Sequence, residues 1–373
     1  MSVKKYFEEK LNSLKSQNLH RILANTDFIG DVKVIKNNRK LICFSSNDYF
    51  SLANNFCVKI SAICAALRFG VGSRGSRYVC GNNSLYQKLE SKIAKMQNCE
   101  DALVFSSGYQ TAIGLIPALV GENDLVVADK LIHSCLIDGV KLSGAKLMRF
   151  AHNDIKHAKQ VISDNIKKYQ KILIITEEIF SMDGDRGEVR ALQELAQEFG
   201  AMLMIDSAHS LYDVKSASLT PSWPIIQMGT LSKAVGSLGG YVASDKTTID
   251  YLRNFAKSSI YTTALPPSAL SASLTSLKII EKKNPTLKTL ENAEYFCKLM
   301  NLPKPQSAIV VIITYDALKT LQIANEIQEK GFLVSAIRPP TVESNKSRLR
   351  ITFSSKHKKC QIEKLARFLK EML

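Results

Sequence analysis

Four short polar segments each follow an apolar run: Asp206-Ser207-Ala208-His209 after 201–205, Gly229-Thr230-Leu231-Ser232-Lys233 after 225–228, Ser106-Ser107-Gly108-Tyr109-Gln110 after 102–105, and Asp129-Lys130-Leu131-Ile132-His133 after 125–128. An Asp at a buried strand end is costly unless it meets a cation or several donors. Asp206 therefore either caps a helix or faces a positive ligand atom, and His209 three residues on favours the ligand. A desolvated lysine keeps a free lone pair that can form an imine with a carbonyl. Lys233, flanked by the hydroxyls of Thr230 and Ser232, fits that description, although alone it would read as a surface lysine. The segment 106–110 puts small residues at a helix start, which is either an anion site or a plain strand-to-helix turn. It lacks G-K-[ST], which argues against a nucleotide-triphosphate loop. His133 and His209 are two of only six histidines in the chain, and both stand just past an apolar run.

One chemistry needs all four segments. Pyridoxal 5′-phosphate (PLP) requires an amine for its aldehyde, an anion site for its phosphate and a carboxylate for its pyridine nitrogen, and it benefits from a planar group over its ring. Lys233, Gly108 with Tyr109, Asp206 and His133 supply one of each.

The elements that must hold these residues are legible as period and punctuation. The runs 102–105, 125–128, 146–150, 172–176, 201–205, 225–228 and 240–243 are largely apolar rather than alternating, the pattern of strands buried on both faces. Strand 172–176, helix 189–199 ending at Gly200, and strand 201–205 make a βαβ unit. Its repetition implies an α/β fold with a large, mostly parallel, helix-covered sheet. Ligands of such sheets bind beyond the carboxyl ends of the strands. Upstream, Phe7, Leu11 and Leu14 mark an amphipathic helix, 41–44 a short strand, and 70–77 a glycine-rich segment. Ser84 and Gln87 read as a capping box for a helix carrying Leu85, Leu89, Ile93 and Met96. Strands at 308–314, 332–335 and 348–353 with helices at 317–330 and 362–373 describe a smaller α+β domain. The expected division is 1–45 (helix and short strand), 46–285 (large α/β domain) and 286–373 (small domain), with Lys282-Lys283-Asn284-Pro285 at the boundary.

The composition of the 373 residues is ordinary, 45% hydrophobic and 23% charged, and a chain this long needs no disulfide or metal to complete a core. Its charge is unusual: 50 Lys and Arg against 34 Asp and Glu give +16. A nucleic-acid binder would cluster that charge. The densest basic stretches, Lys356-His357-Lys358-Lys359 and Lys282-Lys283, lack the aromatics that stack single strands, which argues against that class. The eight cysteines form no C-x-x-C pair and no Cys/His cluster, so neither a metal site nor a disulfide framework is expected. Free thiols fit a reducing cytoplasm. The charged N-terminus is unlike a signal peptide, and no apolar run is long enough to span a membrane.

At these residues the sequence resembles the α-oxoamine synthases, a family of fold-type-I PLP enzymes. Matching stretches are Phe44-Ser45-Ser46-Asn47-Asp48-Tyr49, Gly72 to Asn82, Ser107-Gly108-Tyr109, Asp129 to His133, Glu177 to Asp185, Asp206 to His209, Gly229 to Lys233, Tyr261-Thr262-Thr263-Ala264-Leu265-Pro266-Pro267 and Arg348-Leu349-Arg350-Ile351-Thr352. Departures are Phe50 for the usual Leu, Cys80 for Ser, Tyr86 for a frequent His, Ser207 for Glu or Asp, Ser210 for Gly, and a run 343–347 without the common Pro and Gly. Ala336-Ile337-Arg338-Pro339-Pro340-Thr341-Val342 resembles the branch that joins L-alanine to a pimeloyl thioester, giving 8-amino-7-oxononanoate for biotin synthesis. Sister branches of the glycine C-acetyltransferase, 5-aminolevulinate synthase and serine palmitoyltransferase types usually carry other residues there.

The resemblance implies a homodimeric acyltransferase of fold type I, with a seven-stranded-type sheet in the large domain. It makes Lys233 the imine-forming base, Asp206 the partner of the pyridine nitrogen, and His133 the residue stacked on the ring and facing the amino acid. His209 and Ser181 would bond the phenolic oxygen. Gly108, Tyr109 and Thr230 would hold the phosphate, with Thr263 or Thr262 reaching it from a second subunit. Arg338 would clamp alanine's carboxylate, with Arg21 and Thr341 touching substrate. The acyl donor, pimeloyl-CoA or pimeloyl-acyl-carrier protein, is anionic, so part of the basic excess could steer it. No metal, nucleic acid or membrane partner is implied.

Overall fold

The computed structural model describes residues 2–210 and 225–373. They form two compact units: a larger one of Asn47–Ser181 and Asp185–Leu287, and a smaller one of Met1–Ser46, Met182–Gly184 and Lys288–Leu373. In chain order the strands are β1 Thr26–Phe28, β2 Lys33–Lys36, β3 Arg39–Cys43, β4 Asp101–Phe105, β5 Leu125–Asp129, β6 Lys146–Phe150, β7 Ile172–Glu177, β8 Met202–Asp206, β9 Ile225–Thr230, β10 Gly240–Ser244, β11 Ile309–Tyr315, β12 Phe332–Leu333, β13 Ser335–Ile337 and β14 Ser347–Thr352.

The larger unit is built on a seven-stranded sheet in the order β4-β10-β9-β8-β7-β5-β6. Its pairs are parallel except for β10, which runs antiparallel to both neighbours. Every residue of β5, β7 and β10 is buried, which is why their sequences run apolar without alternation. Separate apolar clusters line the sheet. One joins Leu115, Ile116, Leu136 and Val140 from the helices Gly108–Leu119 and Ser134–Ser143. Another joins Ile162, Leu192, Leu195 and Ala196 from Ile155–Ser163 and Val189–Phe199. Each such Leu, Ile or Val side chain contributes roughly 1.5–3 kcal/mol on burial. Gly200 ends its helix in the left-handed conformation at φ 63°.

Local details differ from the sequence expectation. Strands β5, β7, β8 and β9 each run one or two residues further, taking in Asp129, Glu177, Asp206 and Thr230. Ladder pairing explains it for the acids: Glu177 sits opposite Asp206, and Asp206 opposite Met228. The helix Ser84–Met96 is capped not by Ser84 but by Asn83, whose side chain accepts the Leu85 N–H at 2.9 Å. Asparagine caps as well as serine does, and here it stands in the extended conformation that a cap requires.

The smaller unit holds two sheets, β1-β2-β3-β12 and β11-β14-β13. The expected strand 332–335 is divided between them. Phe332 and Val334 both enter the same core, so the chain changes sheets across Val334 without exposing either. The helix Lys359–Met372 closes that core with Ile362, Leu365, Ala366 and Leu369. Nothing in the described chain covers the helix Val3–Ser16, which has no buried residue; Phe7, Leu11 and Leu14 stay exposed.

Candidate active site

The polar residues of the larger unit gather where its sheet ends. Asp206 closes β8 and Glu177 closes β7, facing each other in the ladder. Because β10 is antiparallel, its first residue, Gly240, pairs with the last residues of both β9 and β4, Thr230 and Phe105. Lys233 lies in the connection from β9 to β10, with its Nζ 2.8 Å from His209 Nε2. On the far side of that ring, His209 Nδ1 is 2.6 Å from the Tyr49 hydroxyl. Tyr49 and His209 are buried, so a hydrogen-bonded chain fixes the lysine's head.

The carboxyl groups are unusual. Burial pushes Glu177 well above the ordinary carboxylate range, and nearby Asp206 pushes it further. It accepts the His133 N–H at 2.5 Å, and the Ser181 N–H also favours its charged form. Asp206 is likewise raised by burial, against the pull of Lys233 and of the Ala208 N–H at 2.9 Å. Two facing buried carboxyls cannot both ionise cheaply. A further cationic N–H at Asp206 would resolve the conflict.

His133 caps the helix Ser134–Ser143. Its Nδ1 accepts the Cys135 N–H at 3.2 Å and lies 3.0 Å from the Cys135 thiol. Burial lowers its pKa, so the ring is neutral. Asp129, four residues before it, turns to His152, with Oδ1 3.0 Å from Nδ1.

An anion cradle completes the group. The helix Gly108–Leu119 starts against Thr230: a Cβ on Gly108 would stand 3.5 Å from the Thr230 side chain. A Cβ on Gly240 would fall 2.7 Å from the Gly108 nitrogen and 2.6 Å from the Ser107 oxygen. Only glycine fits at 240 against those groups. Thr230 Oγ1 donates to the Gly239 carbonyl at 2.9 Å and lies 2.8 Å from Ser232 Oγ. The Tyr109 hydroxyl donates to Asp138 at 2.8 Å. The Thr263 carbonyl accepts from Ser106 Oγ at 3.2 Å, with half-buried Thr262 beside it. Lys233, Asp206, His133 and Gly108 thus all belong to one unit.

Arg21, Arg338 and Thr341 come together within the smaller unit. Arg21 Nη2 donates to Thr341 Oγ1 at 3.2 Å, and Arg338 donates to the Asn18 carbonyl. Burial and the neighbouring Arg21 both lower the Arg338 pKa. Sequence reasoning gave no role to Tyr49, Glu177 or Gly240. Glu177 carried the same signal as Asp206, a charge directly after an apolar run. Tyr49 closes one of the matching stretches, but nothing there pointed to His209, 160 residues away.

Comparison with known proteins agrees with this arrangement. The family model for aminotransferase class I and II matches residues 39–369. An 8-amino-7-oxononanoate synthase of Methylobacterium nodulans is 40% identical, the match covering 100% of this chain and 97% of the relative. A solved structure of serine palmitoyltransferase with a PLP internal aldimine shares the fold, with TM-score 0.90 at 22% identity over 100% of this chain and 98% of its own. An 8-amino-7-oxononanoate synthase structure from Francisella tularensis gives TM-score 0.71 at 27% identity, covering 89% and 96%. The fold is that of the fold-type-I PLP-dependent transferases, and the chain belongs to the aminotransferase class I and II family, among its α-oxoamine synthases.

Proposed function

We propose that the protein condenses L-alanine with a pimeloyl thioester, releasing CO2 and the carrier thiol, to form 8-amino-7-oxononanoate. One observation carries this: a lysine held by His209 beside a buried Asp206 and a glycine-only cradle, in a chain 40% identical over its length to an 8-amino-7-oxononanoate synthase.

PLP, when bound, supplies the electron sink for the substrate's Cα carbanion. Lys233 takes the Cα proton, with its Nζ steered by the His209–Tyr49 chain. Asp206 would keep the proton on the pyridine nitrogen; one charge-assisted hydrogen bond there contributes about 1.5–3 kcal/mol. His133, its pKa lowered by burial and its Nδ1 engaged by Cys135, would lie over the ring and face the amino acid. Ser181 would bond the phenolic oxygen, with His209 once its Nε2 is released from Lys233. Gly108, Tyr109 and Thr230 would hold the phosphate, joined by Thr263 or Thr262 of a second subunit. Arg338 binds the alanine carboxylate, with Arg21 and Thr341 in contact with substrate.

A homodimer is supported by the helix Phe56–Phe69, which exposes Phe56 (72%), Ile60 (41%), Ile63 (54%) and Leu67 (83%) along one face. A cytoplasmic location fits eight free thiols and the lack, among the described residues, of any helix long and apolar enough to cross a membrane.

The test is a purified protein offered alanine, glycine or serine with pimeloyl, acetyl, succinyl or palmitoyl thioesters of coenzyme A and acyl-carrier protein. Alanine-dependent thiol release from the pimeloyl donors supports the proposal. Thiol release that prefers another pair, or a protein that binds no added PLP, overturns it.

A further inference from the structure

His152 lies outside the residues assigned so far, yet it is the most heavily tied histidine of the larger unit. Its Nδ1 is 3.0 and 3.1 Å from the two Asp129 oxygens at the end of β5, and its Nε2 is 2.6 Å from Asp185 Oδ2. Burial opposes its charge, but the hydrogen bonds to Asp129 and Asp185 outweigh that and raise the imidazolium to about 10. Asp129 is fully buried and also accepts the N–H groups of Leu131 and Asn153, at 2.8 and 2.9 Å. It is a fixed anchor.

What His152 anchors is a turn. Ile179 bridges Arg186, and the Phe180 N–H donates to the Asp185 carbonyl at 3.0 Å, so the segment folds back on itself. His152 touches both of its sides: Nε2 holds Asp185, and the ring meets Phe180 edge-on at 4.4 Å. Asn153 adds a bond from its side chain to the Arg186 carbonyl at 2.9 Å. Ser181 follows Phe180 directly and is buried, with its N–H directed to the Glu177 carboxyl.

We propose that His152 is a positioning residue: clamped between Asp129 and Asp185, it fixes the turn 179–186 and thereby the placement of Ser181 at the cofactor. This rests on the PLP reading above.

The experiment uses PLP-loaded protein and a double-mutant cycle of His152→Gln and Ser181→Ala. The readouts are the pH midpoint of the bound PLP's visible band, below the pH at which His152 itself titrates, and the PLP dissociation constant. His152→Gln is expected to move the midpoint in the same direction as Ser181→Ala and to weaken PLP binding about 3- to 10-fold, the scale of one hydrogen bond. The double variant should shift no further than the larger single effect. A His152→Gln protein with a lowered thermal midpoint but an unshifted band titration overturns the proposal, as do shifts that simply add. Should His152→Gln fail to fold, Asp185→Asn removes one arm of the clamp and is read the same way. A wild-type protein with no PLP band overturns the underlying reading instead.

Discussion

The two polar clusters of this chain are built on opposite plans. In the larger unit, acids and bases interlock: Glu177 holds the His133 backbone, and His209 bridges Lys233 and Tyr49, all at strand ends or turns beside a buried sheet. In the smaller unit two guanidiniums, Arg21 and Arg338, stand close enough that Arg21 adds to the burial that lowers the Arg338 pKa, and among the described residues neither forms an ion pair. Like charges held together without a counter-ion cost free energy that an anion recovers. The first cluster is preorganised by its own contacts; the second leaves its positive charge without a counter-ion among the described residues.

That difference can be broken or sharpened by experiment. The largest effect belongs to Lys233: Lys233→Ala should lose thiol release on the order of 10³-fold or more and lose the borohydride-fixable absorbance, measured by a thiol assay and a visible spectrum. Asp206→Asn should weaken PLP about 10- to 150-fold, the equivalent of one charge-assisted hydrogen bond, measured by PLP titration. Arg338→Lys should raise the alanine KM about 10-fold while leaving PLP affinity near wild type, because an ammonium cannot form the bidentate contact. Equal losses in both would merge the two clusters into one function. Arg21→Ala should raise the same KM by only about 2- to 5-fold.

The smallest effects are in pH stability. His357, buried against Phe44, is lowered to about 4 chiefly by burial, and His152 is raised to about 10. A base depressed in the fold costs stability as pH falls from its unfolded value near 6.5 toward 4. A base raised in the fold contributes fully below 6.5 and loses that contribution as pH rises through about 10. The thermal midpoint of His357→Gln should therefore decline less in acid than wild type does. That of His152→Gln should decline less in alkali.

Much of the larger unit was legible because a doubly buried strand forces a continuous apolar run, and the polar residue ending it has to be explained. Asp206, Lys233, His133 and the 106–110 turn were found that way. Pairings that span the chain leave no local signature. Tyr49 reaches His209 and Arg21 reaches Thr341 with no periodicity to announce either. Asp129 opens the same polar segment as His133 but turns to His152. The helix cap moved by one residue because two good capping residues, Asn83 and Ser84, are adjacent.

The sheet order also constrains how the chain can be made. β4 is the first strand of its sheet to be synthesised, yet its one partner among the described residues is β10, the last. Until residues 240–244 have emerged, β4 must wait as an apolar strand with both edges open, the condition that favours pairing with the wrong chain. In the smaller unit β3 pairs at once with β2, but its other edge waits still longer, for β12. A nascent chain that has emerged only as far as β9 would hold the parallel strands with β4 orphaned, so the emergence of β10 decides between folding and aggregation.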